Sequence, residues 1–252
     1  MANEVALITG ASRGIGKSIA LKLAEKGLDL IITYYSKKED ALQVVAEIKK
    51  IGRNAVALQL SVGEINTFDI FFEQVADVLK KNFNTDHFDY LINNAGIGLQ
   101  VPFEETSEEQ FDELMNVQFK GVYFLTQKAI NYLNEGGGIV NISSRLAQAS
   151  MSGYSAYASM KGAIETLTRY LAKELSAKKI RVNAVAPGPT ATDFVGGVIR
   201  DNARYNANVK AMTALGRVGD PDDIGGVVAF LCTDDARWIT AQRIEVSGGM
   251  NL

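Results

Sequence analysis

Tyr157 and Lys161 lie four residues apart in a stretch, Ser155–Ser176, whose apolar spacing predicts a helix, so their side chains share one face. Ser144 precedes Tyr157 by thirteen residues, at the end of an apolar run. These residue types can handle a proton at a carbonyl or alcohol oxygen. A free tyrosine titrates near ~10, too high for ready exchange at neutral pH. A neighbouring ammonium favours the phenolate and lowers that value, which makes Tyr157 a candidate general acid/base. Ser144 would hydrogen-bond the same oxygen and polarise it. A second Tyr-x-x-x-Lys pair, Tyr34 and Lys38, falls in a turn-like segment and is read as incidental. Ser143 is one position off, and strand alternation points it to the opposite face. Tyr154 has Ala158 four residues on, so it lacks the lysine and is assigned to the pocket wall.

Competing chemistries are short of residues. The chain has one His, His87, and one Cys, Cys232. A structural zinc site needs about four such ligands, and one Cys cannot form an intrachain disulfide. A Ser-His or Cys-His mechanism would have to run through His87, which precedes a strand and is expected to be a surface residue. No metal is expected.

Thr9-Gly10-Ala11-Ser12-Arg13-Gly14-Ile15-Gly16 forms a second constellation. It directly follows the apolar run Val5–Thr9 and opens an amphipathic stretch, Ile15–Lys26. Glycines there leave room for phosphates near the backbone, and a helix start offers free N–H groups and the positive end of its dipole.

The elements that must carry these residues alternate. Strands are expected at Val5–Thr9, Leu28–Tyr34, Ala55–Leu60, Phe88–Ile92, Gly138–Ser143, Ile180–Ala186 and Arg243–Val246. Helices are expected at Ile15–Lys26, Asp40–Ile51, Thr67–Phe83, Ser107–Leu133, Ser155–Ser176 and Pro221–Cys232. Ser107 with Gln110 has the capping-box form, and Pro221 sits just inside its helix start. The alternation predicts an α/β fold, a doubly wound seven-stranded parallel sheet with helices on both faces. Residues 187–217 are the least regular stretch, and 188–217 is expected to be a lid over the substrate.

The length of 252 residues does not fix the number of domains, since α/β units of about 200–250 residues are common. No linker or repeat divides the chain, so one domain over 1–252 is expected. A net charge of −3 argues against a nucleic-acid partner. No apolar run approaches the ~18 residues of a membrane span. Met1-Ala2-Asn3-Glu4 has no basic region before an apolar stretch, and a cytoplasmic location is expected.

The motifs together resemble the short-chain dehydrogenase/reductase family, in its shorter subfamily, over nearly the whole chain. The G-x-x-x-G-x-G turn, Asn93-Asn94-Ala95-Gly96 after the fourth strand, Asn116 in the long helix, Ser144, Tyr157 and Lys161, and Pro187-Gly188 with Thr192 occur in family order. The resemblance implies a single-domain Rossmann fold, a nicotinamide cofactor and a catalytic tetrad of Asn116, Ser144, Tyr157 and Lys161. Lys161 would also hold the nicotinamide ribose, its ammonium acting together with the positive charge of an oxidised nicotinamide to lower the Tyr157 titration point, and Asn116 would support a water-mediated proton path. Cofactor contacts are implied at Gly10, Ser12, Arg13, Gly14, Ile15 and Gly16, and at Tyr35, Ser36 and Lys37. Further contacts are implied at Ser61, Val62, Asn93, Ala95 and Gly96, at Tyr157 and Lys161, and at Pro187, Gly188, Thr190 and Thr192. A homotetramer is implied as well.

NAD-binding relatives carry an acid after the second strand. Here that place reads Tyr34-Tyr35-Ser36-Lys37-Lys38, with Glu39 the first acid. Ser36, Lys37 and Arg13 would attract a 2′-phosphate, so NADP(H) is favoured over NAD(H). Ser61-Val62 stands where many relatives have Asp-Val, and Ser247 stands where many have Asp.

Ala147, Met151, Tyr154, Phe194 and Val195 suggest a largely apolar pocket for a small carbonyl or alcohol substrate. The family includes 3-oxoacyl-(acyl carrier protein) reductases and ketone reductases. Lys178, Lys179 and Arg181 form a basic cluster on which an acidic acyl carrier protein would dock. Three readings follow: an NADPH-dependent reductase of a ketone, among them a 3-oxoacyl thioester; an NAD-dependent dehydrogenase of a sugar or secondary alcohol; and a non-catalytic nucleotide-binding regulatory protein.

Overall fold

The computed structural model describes residues 3–252; Met1 and Ala2, half of the segment read as carrying no leader, lie outside the described residues. β1 (Val5–Ile8) leads through the Gly-rich turn into α1 (Gly14–Glu25), β2 (Asp29–Tyr34), α2 (Lys38–Lys50), β3 (Ala55–Gln59), α3 (Phe68–Val78) and β4 (Phe88–Asn93). Then follow α4 (Glu108–Met115), α5 (Gly121–Ala129), β5 (Leu133–Ile142), α6 (Ser155–Glu174), β6 (Arg181–Pro187), α7 (Val198–Asp201), α8 (Ala203–Met212), α9 (Pro221–Leu231) and β7 (Arg243–Val246).

The seven strands form one sheet in the order β3-β2-β1-β4-β5-β6-β7, and all six pairings are parallel. The strands are apolar on both faces because helices cover both. Ala6 and Ile8 point toward one cluster, with Ile19 and Leu23 of α1, Val44 and Ile48 of α2, and Val228 of α9. Val5 and Leu7 point the other way, toward Phe68, Phe72 and Val75 of α3 and Leu125 of α5. That alternation follows from the period of two along a strand.

Two expected boundaries shift. Ser107–Leu133 is not one helix. Ser107 and Gln110 make the expected capping box, but α4 and α5 are separated by a π-helical segment, Asn116–Lys120, in which the Gly121 N–H bonds back to the Asn116 carbonyl. A Cβ on Gly121 would stand 2.0 Å from the Val62 carbonyl, so only glycine lets the helix pass under that loop. The second shift is in β5, which begins at Leu133 rather than Gly138. Leu133 pairs with Phe88, and the register shifts between Phe88 and Tyr90. The glycines Gly136, Gly137 and Gly138 are absorbed in this irregular strand.

The stretch 188–217 is more regular than expected, because it contains α7 and α8. Immediately before α7 stand three successive left-handed residues, Val195 (φ 50°), Gly196 and Gly197. A β-branched residue in that region is strained, by about 1–3 kcal/mol. Among the described residues no helix is long and apolar enough to cross a membrane.

Candidate active site

The order of the sheet reverses between β1 and β4, where the connections leaving the strand ends turn to opposite faces and open a crevice. Thr9 and Asn94 join the two sides of that crevice. The Thr9 N–H donates to the Ile92 carbonyl at 3.0 Å, and the Asn94 and Ala95 N–H groups donate to Thr9 Oγ1 at 2.9 and 3.0 Å. Asn94 Nδ2 donates to the carbonyls of Thr9 and Gly10, both at 2.9 Å. A Cβ on Gly16 would meet that Nδ2 at 2.5 Å and the Gly10 carbonyl at 2.3 Å. Gly16 is therefore set by close packing within the turn.

A cavity of about 940 Å³ runs along the crevice from Tyr35, Ser36 and Lys37 at one end to Ser144, Tyr157 and Lys161 at the other. Gly10, Ser12, Arg13, Gly14, Ile15 and Gly16 line it, as do Ser61, Val62, Ala95, Gly96, Asn116, Pro187, Gly188, Thr190 and Thr192. The cavity suits a dinucleotide in shape and chemistry. α1 starts with Arg13 at its N-cap, with no side chain capping it and no acid in its first turn, so its leading N–H groups face the cavity open to an anion.

Asn93 is the one expected contact that does not line this cavity. Its side chain is buried and donates to Thr126 Oγ1 at 3.0 Å and Asn141 Oδ1 at 2.8 Å. It is the last residue of β4 and alternation turns it under the sheet, so Asn94 takes the place at the wall. Ala147 is likewise absent from the lining, and Leu146 is present with Met151, Tyr154, Phe194 and Val195. Lys178, Lys179 and Arg181 are remote, because they stand at the start of β6 whereas the cavity lies beyond the strand ends. Arg181 Nη1 donates to the carbonyls of Leu231 and Ala236, and Lys179 pairs with Glu135. His87 is exposed, just before β4.

Sequence reasoning missed Thr9 and Asn94 as the staple, and the acids of α4. Glu109, Asp112 and Glu113 are exposed and line the mouth of the cavity. Their spacing of three and four marks a single helix face, but only the packing of α4 shows which way it points.

At the reaction end, Tyr157 is 6 % exposed and Lys161 5 %. Lys161 Nζ donates to the Ile142 carbonyl at 2.8 Å and lies 5.7 Å from the centre of the Tyr157 ring. Ser144 caps a short 3-10 turn, Arg145–Ala147, and its Oγ accepts the Leu146 N–H at 3.2 Å. With that lone pair taken, the hydroxyl proton is free to point into the cavity. Phe194 packs against the Tyr157 ring at 5.9 Å between centres, and Tyr154 packs at 6.3 Å.

The electrostatics differ from the sequence expectation. Among the protein's own groups, burial dominates and pushes Tyr157 up to about 12, with Ser144 acting the other way. Burial also brings Lys161 down to about 7 from 10.5. Lys161 does not set the tyrosine below its ordinary value, because both groups have lost water together and the lysine is turned to a carbonyl. The tyrosine is held protonated at neutral pH.

Comparison with known proteins agrees with this geometry. The profile of a family described as enoyl-(acyl carrier protein) reductase matches residues 10–251. An uncharacterised oxidoreductase of Methylorubrum extorquens is 39% identical over 247 residues, 98% of this chain and 97% of that protein. A hydroxynaphthalene reductase-like protein of Metarhizium anisopliae is 37% identical over 262 residues, covering 99% and 95%. Among solved structures, the angucycline C-6 ketoreductase LanV with bound NADP superposes with a TM-score of 0.93 at 35% identity, covering 98% of this chain and 95% of that one.

The buried lysine carries a pH signature. Between pH 7 and 10.5 the unfolded chain holds the Lys161 proton and the native state does not, so the free energy of unfolding gains a positive slope with pH across that window. K161M removes it. Urea unfolding from pH 6.5 to 9.5 is expected to show wild type gaining stability relative to K161M as pH rises; a flat or opposite difference contradicts the burial argument.

Proposed function

This chain belongs to the short-chain dehydrogenase/reductase family and is an NAD(P)-dependent oxidoreductase; from that premise we propose that it reduces an uncharged, fused-ring ketone with NADPH. The observation that carries the reading is the reaction end of the cavity, where a protonated Tyr157 and a free Ser144 hydroxyl face an apolar, aromatic wall.

Bound NADPH supplies a hydride to the carbonyl carbon. Ser144 donates a hydrogen bond to the carbonyl oxygen and polarises it, and Tyr157 gives its phenolic proton to that oxygen as negative charge develops. Buried and protonated, Tyr157 holds the proton that reduction consumes. Lys161 stands beside Tyr157 in the same buried layer, Asn116 lines the same cavity, and the two form the route by which the proton is replaced. Residues 188–217 serve as the lid, closing Phe194, Val195 and Tyr205 over the ketone.

The favoured cofactor follows from charge. Ser36 and Lys37 line the far end of the cavity with no acid in the β2–α2 turn, and Arg13, which bonds Asp193 at 3.2 Å, lines it with them. Such a site attracts a 2′-phosphate. LanV was solved with NADP, which supports the same choice.

The substrate class follows from the wall. Met151, Tyr154, Phe194, Val198 and Ile199 offer apolar contact, and the Arg200 cation is held by Asp193 at 2.6 Å and Asp201 at 2.7 Å rather than turned inward. One relative is named for hydroxynaphthalenes and one for an angucycline ketone. Glu109, Asp112 and Glu113 at the mouth would repel an acidic acyl carrier protein, and the basic cluster at Lys178 stands at the wrong end of the sheet. We also propose a homotetramer, supported by the exposed aromatic face of Phe111, Tyr123, Phe124 and Tyr170 on α4, α5 and α6.

Three measurements check this reading. Y157F is expected to lose nearly all turnover while NADPH binding, followed by nicotinamide fluorescence, stays within about two-fold of wild type; robust turnover in this variant excludes Tyr157 as the acid. In a panel of 9,10-phenanthrenequinone, 1-tetralone and acetoacetyl-CoA, kcat/KM should favour the ring ketones over the thioester, and NADPH over NADH, by about ten-fold or more each. The reverse order on either axis rejects that part of the proposal. Light scattering should give four times the chain mass, and a monomer refutes the assembly.

A further inference from the structure

Glu165 is a buried carboxylate, 6 % exposed, that the proposed reaction does not use. It lies on α6 one turn beyond Lys161, so Tyr157, Lys161 and Glu165 form one stripe against the end of β5. Its two oxygens are held from different places. Oε1 accepts from Ser143 Oγ at 2.8 Å, and Oε2 accepts from Gln148 Nε2 at 3.1 Å. Ser143 immediately precedes Ser144, and Gln148 immediately follows the 3-10 turn that Ser144 caps. One carboxylate thus grips both ends of the turn that presents the Ser144 hydroxyl.

The carboxylate is itself held. Arg243 Nε on β7 donates to Oε1 at 2.7 Å, and Arg243 Nη1 donates to Glu245 at 2.9 Å. Arg145, the residue after Ser144, stands 3.2 Å from Glu245, and Ser247 Oγ donates to Glu245 at 2.6 Å. Two acids and two arginines make a neutral set, so no net charge is buried. Buried ion pairs are nonetheless weak sources of stability, and apolar residues of similar volume often serve as well. What an apolar replacement cannot do is hold two ends of a turn at fixed points through directional bonds.

We propose that Glu165 is a positioning residue for Ser144: by holding Ser143 and Gln148 with separate oxygens, and being held by Arg243, it fixes the turn that aims the Ser144 hydroxyl at the substrate oxygen. This rests on the reading of Ser144 as the group that polarises the carbonyl. Neither Glu165 nor Gln148 touches the reacting atoms, so the effect runs through Ser144 alone. The contribution of one such donor is realised as the oxygen gains charge, so its misplacement falls on kcat more than on KM.

The test is a double-mutant cycle on the full-length protein with 9,10-phenanthrenequinone and NADPH. E165Q, S143A and Q148A should each lower kcat, E165Q by about ten-fold or more, with KM for the quinone and the dissociation constant for NADPH within about two-fold of wild type. In an S144A background the same changes should lower kcat no further, because the group they position is gone. A loss that adds in full to that of S144A, or an unchanged kcat in the folded single variants, overturns the proposal. Should E165Q prove unfolded by its thermal transition, S143A and Q148A each remove one grip and carry the same cycle. An S144A enzyme as fast as wild type would instead reject the role of Ser144 on which the proposal rests, and a wild-type enzyme that turns over none of the quinone would reject the reductase reading, so the failures are told apart.

Discussion

The site depends on how the polar stripe of α6 is seated against the end of β5. Lys161 Nζ on the Ile142 carbonyl, Ser143 Oγ on Glu165 and Asn141 Nδ2 on Thr168 Oγ1 at 3.0 Å are three successive contacts between the same two elements. Each places a polar group in a region with little water, where an unmet partner would cost roughly 1–3 kcal/mol. The contacts therefore fix the helix in register along the strand, and with it the height of Tyr157 relative to Ser144. A helix held only by apolar contacts could slide with less penalty, since such contacts are not directional.

That seating is possible because the apolar work is done elsewhere. The clusters on the two faces of the sheet bury β1 and β2 completely, and β4 except at Asp89. Polar residues gather instead near the carboxyl ends of β4 and β5, where Asn93 and Asn141 make side-chain hydrogen bonds. Stability and chemistry are thus divided along the strands: the middle of the sheet is hydrocarbon, and the ends are a hydrogen-bonded frame. The division explains why Tyr157 and Lys161 can be buried with shifted titration and still lie at the floor of a cavity reached from outside.

Much of the fold and part of the site were legible in the chain. The seven strand positions follow from apolar runs and turn residues, and their parallel pairing follows from the helices between them. Tyr157 and Lys161 follow from a spacing of four on a helix, and the phosphate cradle from glycines between a strand and a helix. The long helix read across Asn116 was not interrupted in the sequence because Asn116–Lys120 has no helix breaker; the π-helical turn ends at Gly121, where the backbone passes too close to the Val62 carbonyl for any side chain. Asn93 and Asn94 could not be ranked, because neighbouring residues of one type differ only in which side of the sheet they face. Glu165 carried a signal that went unread, an acid at helical spacing from Lys161 on a stripe otherwise buried.

The sequence by itself determined the alternation of elements, the Gly-rich turn and the order of the polar residues along the chain, since these are set by local periodicity and by the backbone freedom of particular residue types. It could also state which chemistry the tyrosine, lysine and serine are capable of. Only the tertiary structure decided which groups meet and in what state. Burial raises Tyr157 and lowers Lys161, a carboxylate more than twenty residues after Ser143 grips the turn beside it, and the acids of α4 come to rim the cavity. Those outcomes depend on solvent exclusion and on distances between segments far apart in the chain, and neither quantity is written in the local pattern of residues.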